Sequence, residues 1–354
     1  LRLFLQAKIL YDSANHDWLI FLTVLFFLIA LKSFFLSLGI TALILRCAPY
    51  WGLVQSATHR SNHRRPIPTA GGLGFITAFS LISLGTSFQE FVVLSWILAF
   101  VGFWDDRGRA SVGMRLVTQI FVVVGAVYCL WPLPEWVVVW PLPIELQVLG
   151  LCLFGVWWIN VLNFFDGTDG LSSSQSLLIL ISAFVLACLS WKSLPISWGV
   201  FMTSLVGGLG GFLCLNWPPA RIFMGNTSSM WLGFTIFCLA LWSVKVRVLD
   251  YGSWLILMSV PLVDATWTLI TRILNGSSWI QPHTTHVYQQ WEKRWPRRLG
   301  HRRILLGIGL IHSLWVLPLA TLSVVDSEKM VLWALLTYGP LCVWAWYQRA
   351  GYSS

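Results

Sequence analysis

Charged residues are scarce in this sequence. Asp, Glu, Lys and Arg together make up 10% of its 354 residues, whereas hydrophobic residues make up 57%. Soluble domains are about a quarter charged, because charged side chains cover their surface in water. So few charges could not cover a soluble fold of this length, whereas lipid itself is the solvent of a membrane bundle. We therefore predict an all-α, polytopic membrane protein that forms a single domain over residues 1–354.

Cysteine patterns and strong charge bias are also missing. The seven cysteines include no CxxC pair, so neither a zinc site nor a disulfide framework is indicated, and we expect small core residues. The net charge of +9 could indicate nucleic-acid binding, but the basic residues lie in short loops between apolar runs. We therefore predict no nucleic-acid partner. No small-residue cleavage site follows the first apolar run, so we expect that run to remain as a membrane anchor.

Long apolar runs, by contrast, recur along the whole chain. A helix needs about 20 apolar residues to cross a bilayer, and scanning at that length predicts about eleven spans. The first run is too long for one upright helix, so we expect it to be tilted or broken near Lys32. The predicted spans are 18–46, 70–87, 89–103, 114–131, 147–164, 174–190, 196–215, 228–242, 253–273, 303–323 and 330–347.

The basic residues predict the orientation. Loops that follow odd-numbered spans hold most of them: Arg60, Arg64, Arg65, Arg107, Arg109, Arg221, Lys293, Arg294, Arg297, Arg298, Arg302 and Arg303. Loops that follow even-numbered spans hold only Lys192, Lys245, Arg247 and Lys329. Because cytoplasmic loops carry the excess of Lys and Arg, we predict cytoplasmic odd loops, a periplasmic N-terminus and a cytoplasmic C-terminus.

Five unusually polar segments all fall in odd loops. They are HRRPIPTAGGLGF (63–75), FWDDRGRASVGMR (103–115), NVLNFFDGTDGLSSS (160–174), NWPPARIFMGNTSS (216–229) and PHTTHVYQQWEKRW (282–295). An error of one in the span count would divide them between the two membrane faces. Their agreement predicts a single active site on the cytoplasmic face.

Two pairs of carboxylates stand out in these segments. Asp105 and Asp106 are adjacent, and Asp166 and Asp169 are three residues apart, a spacing that places them on one helix face. Either pair alone could simply cap a helix or mark the membrane interface. Ionisable groups this close to hydrocarbon are functional candidates, and two pairs on one face favour a site. Mg²⁺ prefers one or two carboxylates completed by substrate phosphates.

Two further groups leave alternatives open. Gly71, Gly72 and Gly74 could form a backbone nest for phosphate or allow close helix packing, and the segment itself favours neither. His283 and His286 lie in a cationic loop. A nucleotide or phosphate contact is favoured for them over a solvated loop, because no acidic or cysteine partner for a metal lies nearby in sequence.

The order and spacing of these motifs resemble one family, the polyprenyl-phosphate N-acetylhexosaminyl-1-phosphate transferases of glycosyltransferase family 4, over about residues 45–300. The resemblance implies an enzyme of the bacterial inner membrane. Such an enzyme moves a sugar-1-phosphate from a UDP-N-acetyl sugar to undecaprenyl phosphate, releasing UMP and initiating O-antigen or other envelope polysaccharide synthesis. It also implies Mg²⁺, with Mn²⁺ as a substitute, and allows a homodimer.

The resemblance also implies roles for individual residues. Asp105 and Asp106 match the family's DD pair, assigned to the lipid phosphate, and Asp166 and Asp169 complete the catalytic set. The metal would be bound by Asp166, Asp169 and Asn226. Substrate binding would fall to Asn163, Asn216, Arg115 and His286, since each matches a family motif, and we add His283 because it lies in the same cationic loop as His286.

Two positions depart from the family pattern. The family usually reads GDxGS where this chain reads Gly225-Asn226-Thr227-Ser228-Ser229, so a metal-binding carboxylate becomes an amide. The sequence His286-Val287-Tyr288-Gln289 replaces HxHH and resembles the O-antigen subgroup that uses N-acetylfucosamine or N-acetylquinovosamine donors. Asn226 favours an alternative, a catalytically impaired relative that binds the lipid carrier. A transporter is a third alternative, but its charges would lie near the bilayer centre and not at span ends.

Overall fold

A computed structural model describes residues 2–55, 66–84, 86, 88–132, 142–190, 194–278, 281, 283–295 and 297–352, with the side chains of the first helix from Ile20 onward. The basic residues Arg60, Arg64, Arg65 and Lys192 lie outside these ranges. The described residues are almost entirely helical, which confirms the all-α class. The α-helices are α1 (Arg2–Cys47), α2 (Leu73–Ser83), α3 (Gln89–Asp106), α4 (Val112–Cys129), α5 (Ile144–Phe164), α6 (Leu171–Leu189), α7 (Ile196–Asn216), α8 (Asn226–Lys245), α9 (Tyr251–Leu257), α10 (Ser259–Leu274), α11 (Val287–Glu292), α12 (Arg297–Ile311), α13 (Leu317–Val325) and α14 (Met330–Tyr347).

A short hairpin is the only sheet among the described residues. Strand β1 (Val54–Gln55) pairs antiparallel with β2 (Ile67–Pro68), with Val54 opposite Pro68. It holds the start of the first polar segment at the end of α1, just before α2 begins.

Eight helical stretches of the described chain are long and apolar enough to cross a membrane, and nine if the bent pair α9–α10 counts as one. This makes the chain a polytopic membrane protein. These nine coincide with nine of the eleven predicted spans. The other two predicted spans hold helices as well: α2, with 11 residues, and α3, which carries Glu90, Asp105 and Asp106 at its ends. The count of eleven and the orientation of the termini stay predictions.

The first helix is continuous. No break occurs near Lys32, so of the two alternatives for the long first run the structure excludes a break. Helix α1 packs lengthwise against α7, where glycines allow the two backbones to touch: a Cβ atom on Gly207 or Gly211 would overlap the carbonyl oxygen of Ala30 or Phe34. Small residues at such contacts are the usual means by which membrane helices approach closely.

Helix α8 lies at the centre of the bundle. Its apolar stretch is 94% buried, against 17% for α1 and for the stretch that contains α14. It packs against α3 and α5, so the residues at its N-terminus are enclosed by the ends of both neighbours.

Two helices deviate from straight geometry beside a proline. The bend of 72° between α9 and α10 falls at Met258. Pro261 has no N–H to donate to the carbonyl of Leu257, which removes one helical hydrogen bond at that point. A π-helical turn, His312–Val316, joins α12 to α13 just before Pro318. Single π-helical turns of this kind occur within otherwise regular α-helices.

The cysteines differ in part from expectation. All seven are free thiols, but only Cys238 is buried, whereas Cys129, Cys188 and Cys214 are exposed on the outer surface of the bundle. The expectation of core residues was wrong for these three, because an apolar run in a membrane protein has a lipid-facing side as well as a core side.

Candidate active site

The five polar segments converge at one end of the bundle. Hydrogen bonds join the fourth segment to the first, second and third, and the fifth to the third. They are Gly71 N to Phe223 O (2.9 Å), Asn226 N to Asp106 Oδ1 (2.8 Å), Asn163 Nδ2 to Asn226 Oδ1 (2.9 Å) and Tyr288 Oη to Phe164 O (3.2 Å). The prediction that these segments share one face of the bundle is confirmed. That this face is cytoplasmic stays a prediction.

Asp106 caps α8 from a neighbouring helix. Its Oδ1 accepts the N–H of Asn226, and its Oδ2 accepts both the N–H of Thr227 (3.1 Å) and the Thr227 hydroxyl (2.6 Å). A helix N-terminus has unsatisfied N–H groups and a partial positive charge, so a carboxylate is stabilised there. This contact fixes the DD pair against the fourth segment.

Two glycines make the contact possible. Gly225 has φ +77°, which favours glycine, and a Cβ there would lie 2.6 Å from Asp106 Oδ2. On α3, a Cβ atom on Gly102 would lie 2.5 Å from the carbonyl oxygen of Asn226. The absence of these side chains lets α3 and α8 approach with their backbones nearly touching, which brings the carboxylates to the end of α8.

Asn226 links the second and third segments through its amide. The amide nitrogen donates to Asp105 Oδ2 (2.8 Å), which also accepts from Arg115 Nη1 (2.8 Å). The amide oxygen accepts from Asn163 Nδ2, which donates to Ser229 Oγ as well (2.8 Å). Asn226 therefore supplies to Asp105 the positive end of a dipole, where the family's usual aspartate would place a second negative charge.

Asp166 differs from the other two carboxylates. It lies in the loop between α5 and α6, and no hydrogen-bond donor of the described chain reaches its carboxylate. Burial, and secondly the negative charge of Asp106, raise the pKa of Asp166 well above its usual value. Such a carboxylate lacks a positive partner.

The donor set fits Mg²⁺. When all three are ionised, Asp105, Asp106 and Asp166 carry two negative charges in excess of the guanidinium of Arg115, and a cation would favour that ionised form. No group of three or more His, Cys, Asp or Glu side chains in the described ranges is arranged to hold an ion by itself. Mg²⁺ does not need one, because it commonly takes one or two carboxylates and completes its shell with water and substrate phosphates.

Asp169 lies in a different hydrogen-bond network from the other three aspartates. Its Oδ2 accepts the N–H of Ala220 (2.9 Å) and lies 3.1 Å from His301 Nδ1. His301 Nε2 in turn lies 2.8 Å from Glu292 Oε1, and Thr168 donates to Glu292 Oε2 (2.9 Å). This network ties the third, fourth and fifth segments to α12, so the contacts of Asp169 are those of a residue that holds loops together.

Asn216 also makes hydrogen bonds that hold the backbone of the fourth segment in place. Its Nδ2 donates to the carbonyl of Ile222 (3.0 Å) and its Oδ1 accepts from Ser173 Oγ (2.8 Å). The side chain is buried. The structure therefore places it at the end of α7, where it links the fourth segment to α6.

The fifth segment contains a buried pair that the sequence did not suggest. His286 Nδ1 lies 2.8 Å from Asp264 Oδ2 of α10, and both side chains are buried. His283 stacks on His286 with ring centroids 4.9 Å apart. Burial, and secondly the charges of His286 and Arg272, lower the pKa of His283 to about 4. His283 is therefore neutral near pH 7.

Arg272 is the second residue that sequence reasoning missed. Its side chain is buried at the end of α10, its Nη2 donates to the carbonyl of Ser278, and its Nε has no partner. No carboxylate of the described chain lies within ion-pair distance. Asp264 and Arg272 could have been singled out as ionisable residues within the apolar run 253–273.

The glycines of the first segment serve close packing. The N–H groups of Gly71, Leu73 and Gly74 donate to backbone carbonyls, so they do not point at a ligand. A Cβ atom on Gly72 would overlap Ser228 Oγ. Of the two alternatives for this segment, the structure supports packing over a phosphate nest.

An acidic cluster with one arginine at the end of a helical membrane bundle, beside a buried histidine and a buried arginine, is typical of the active site of a membrane-embedded enzyme. Comparison with known proteins gives the class more narrowly. The sequence model of the family described as "Glycosyl transferase family 4" matches residues 88–244, from the start of α3 to the end of α8.

Similar proteins cover most of the chain. A probable undecaprenyl-phosphate N-acetylglucosaminyl 1-phosphate transferase of Bacillus subtilis strain 168 is 28% identical over 83% of this chain and 80% of its own length. A phospho-N-acetylmuramoyl-pentapeptide-transferase of Heliobacterium modesticaldum is 31% identical over 63% of this chain and 79% of its own length. An undecaprenyl-phosphate α-N-acetylglucosaminyl 1-phosphate transferase of Escherichia coli K12 is 25% identical over 83% of this chain and 85% of its own length. The chain belongs to glycosyl transferase family 4 and is a transferase.

Proposed function

We propose that this protein transfers a sugar-1-phosphate from a UDP-N-acetyl sugar to undecaprenyl phosphate at the cytoplasmic face of the bacterial inner membrane. The names of the similar transferases support the lipid acceptor and the reaction type. The observation that carries the proposal is the position of Asp166 beside Asp106, where the polar segments meet and where no described residue donates a hydrogen bond to its carboxylate. Such a site is suited to a cation shared with a diphosphate.

In the proposed reaction an oxygen of the lipid phosphate attacks the β-phosphorus of the donor. The bond from this phosphorus to the bridging oxygen breaks, and UMP leaves with the electron pair. The acceptor phosphate is already ionised, so a strong general base is unnecessary, and positioning with charge neutralisation supplies most of the acceleration. Asp166, with Asp106 beside it, would hold Mg²⁺ together with substrate phosphates, and the ion would supply neutralisation of phosphate charge during transfer.

The protein's own groups hold the site in place. Arg115 holds Asp105, the end of α8 holds Asp106, and Asn163 holds the Asn226 amide between them. His286 is fixed by Asp264 at the side where the third and fifth segments meet. We assign the donor's nucleotide or phosphates to the fifth segment and the neighbouring end of α10, since the buried Arg272 of α10 has no acidic partner among the residues that the structure describes.

The test is turnover of single variants with radiolabelled UDP-sugars and undecaprenyl phosphate. Asp105→Asn, Asp106→Asn and Asp166→Asn should each lower turnover at least a hundredfold (on the order of 3 kcal/mol) while the protein still inserts. Asp169→Asn should also lower it, through displacement of Ala220. Asp326→Asn is the matched control. It makes the same substitution at an exposed ion pair with Lys329, between α13 and α14, outside the five polar segments. If three of the four variants keep wild-type rates, the site lies elsewhere.

The donor sugar is the finer part of the proposal. UDP-N-acetylglucosamine is the first donor to test, because two of the similar proteins are named for its sugar. The His286-Val287-Tyr288-Gln289 sequence supports N-acetylfucosamine or N-acetylquinovosamine donors, and with them a role in O-antigen initiation. Turnover with one of these donors and not the others decides between them.

One observation favours the second candidate, a catalytically impaired relative that binds the lipid carrier. The Asn226 amide already satisfies Asp105 by a hydrogen bond, so this part of the cluster is neutralised in part without a cation. Lipid binding without turnover for any donor would support that alternative.

A further inference from the structure

Lys32 occupies an unusual position for a charged residue. It lies in the apolar stretch Ile20–Cys47 of α1, and its side chain is exposed on the outer surface of the bundle. The side chains around it on that surface, Leu28, Leu31 and Phe35, are exposed and apolar. None of the residues that the structure describes bonds to its ammonium.

The packing of α1 against α7 gives the depth of Lys32. Ala30 touches Gly207, and Phe34 touches Gly211, so the two helices run parallel and in register. Gly207 is the middle of α7, which spans Ile196–Asn216. Lys32 is two residues beyond Ala30, a rise of about 3 Å. It therefore lies close to the bilayer centre.

At this depth the ammonium cannot reach water by bending along the helix. The surface of the hydrocarbon is about 15 Å from its centre, which is farther than the four-carbon stem of a lysine extends. Charged side chains inside membranes normally face the bundle interior and pair with another group. Lys32 does neither among the residues that the structure describes, which points to a partner in another molecule.

A second copy of this chain does not supply that partner. Two copies that met through Lys32 about a two-fold axis would bring like charges together. Among the residues that the structure describes, the acidic residues that could pair with it are absent from this depth, except for Asp264, which is buried and bound to His286. The other acidic residues of the described chain lie at helix ends, in loops or before the apolar stretch of α1: Asp12, Asp17, Glu90, Asp105, Asp106, Glu145, Asp166, Asp169, Asp250, Glu292, Asp326 and Glu328.

We propose that the face of α1 around Lys32 docks a transmembrane helix of a different protein, one that carries an Asp or Glu near the bilayer centre. The carboxylate of that helix would pair with Lys32, while its apolar side chains would cover Leu28, Leu31 and Phe35. The surface is on the side of α1 that faces away from the rest of the bundle, and the proposal is independent of the transferase reaction.

The test uses synthetic transmembrane helices. The full-length protein, labelled with a donor dye, is reconstituted in zwitterionic vesicles with acceptor-labelled Leu-Ala peptides that carry one central Asp, Asn or Lys. Energy transfer measures association. The Asp peptide should associate with wild type at least fivefold more strongly than the Asn peptide. Lys32→Leu should abolish the difference, and Lys32→Glu should reverse the preference toward the Lys peptide.

Lys329→Leu is the matched control, because it removes an exposed lysine at a helix end and leaves Lys32 in place. It should keep the preference for the Asp peptide. Equal association of the Asp and Asn peptides with wild type, or a preference that survives Lys32→Leu, would overturn the proposal. Transferase turnover should be unchanged in Lys32→Leu, which separates this result from a failure of the proposed reaction.

Discussion

The amide of Asn226 satisfies two neighbours at once, Asp105 through its nitrogen and Asn163 through its oxygen. An aspartate in the same place would keep the bond from Asn163 but would set a carboxylate against Asp105. That arrangement is favourable only when a cation lies between the two, since like charges at this distance repel. One atom therefore decides how strongly this side of the cluster depends on a metal.

Asn226→Asp should accordingly lower the Mg²⁺ concentration needed for half-maximal activity by about tenfold, or about 1.4 kcal/mol. Mg²⁺ and Mn²⁺ titrations of both forms with a competent donor measure it, and both hard cations should respond alike. An unchanged or higher requirement would show that residue 226 is not at the metal. Activity in the variant alone would establish the impaired-relative alternative.

The contact between Asp264 and His286 orients a side chain and is unrelated to the metal. A carboxylate that accepts from Nδ1–H fixes the orientation of the ring and leaves Nε2 available for another contact. Within the described chain, the Asp264 carboxylate contacts His286 Nδ1 and accepts the N–H of Tyr288, both of which belong to the fifth segment. We regard it as a positioning residue for His286.

His286→Ala should impair use of the donor more than use of the lipid. Asp264→Asn should raise the donor KM by about tenfold and leave the lipid KM unchanged. Combined with His286→Ala it should add nothing, because both changes remove one function. Steady-state kinetics of the two single variants and the double variant test this. Additive losses would mean that Asp264 acts independently of His286.

His283 makes the stability of the folded protein depend on pH. Its pKa is about 4 in the folded protein and about 6.5 when exposed. Below pH 6.5 the unfolded chain therefore binds the proton more readily, and stability is lost as the pH falls from 6.5 toward 4. His283→Asn should show a smaller decrease in Tm between pH 7 and pH 5 than wild type. Equal decreases of Tm in both proteins would mean that groups other than His283 cause the loss of stability at acid pH.

At the scale of elements, the approach of α3 to α8 assembles the acidic cluster. Gly102 permits it, since any side chain there would meet the backbone of Asn226 and Thr227. Gly102→Ala should push α3 outward, weaken the Asp106 cap and cost about 1–3 kcal/mol of stability. Activity should fall at least tenfold. Thermal unfolding and turnover measure the two effects.

Gly150→Ala is the matched control for that prediction. Gly150 also lies within a helix, but nothing stands within 4 Å of a Cβ placed there. Because alanine favours helix over glycine, this variant should be as stable as wild type or slightly more so. Equal behaviour of the two variants would mean that the α3–α8 approach is not tight.

The elements themselves were largely predictable, whereas the contacts between them were not. Apolar runs locate helices in lipid because every backbone group there must be bonded internally. The long first run gave no signal of its continuity. The pairing of Asp264 with His286, and of Asp169 with His301, joins a residue of a helix to a residue of a loop elsewhere in the sequence. Loop sequences show which residues are unusual, but partners depend on how the helices pack.

At the scale of the whole molecule, the five joined segments must lie on one side of the membrane. Reporter fusions after Arg65, Asp106, Gly170, Ser229 and Arg298 should all report cytoplasm, because the Lys and Arg excess lies in these loops. Fusions after Lys192 and Arg247 should report periplasm. Alkaline phosphatase and fluorescent-protein reporters distinguish the two sides. A periplasmic result at any of the five would reverse the assigned orientation.

The central position of α8 has a consequence for how the sequence can vary. A helix buried on nearly every side allows few substitutions, since each changes a packed volume, whereas an outer helix such as α14 needs only to remain apolar. A saturation mutagenesis screen should therefore find α8 intolerant along its whole length and α14 permissive on its outer side. Over evolutionary time, new family members should diverge first on the outside of the bundle. The turns of α8 that begin at Asn226 should change last.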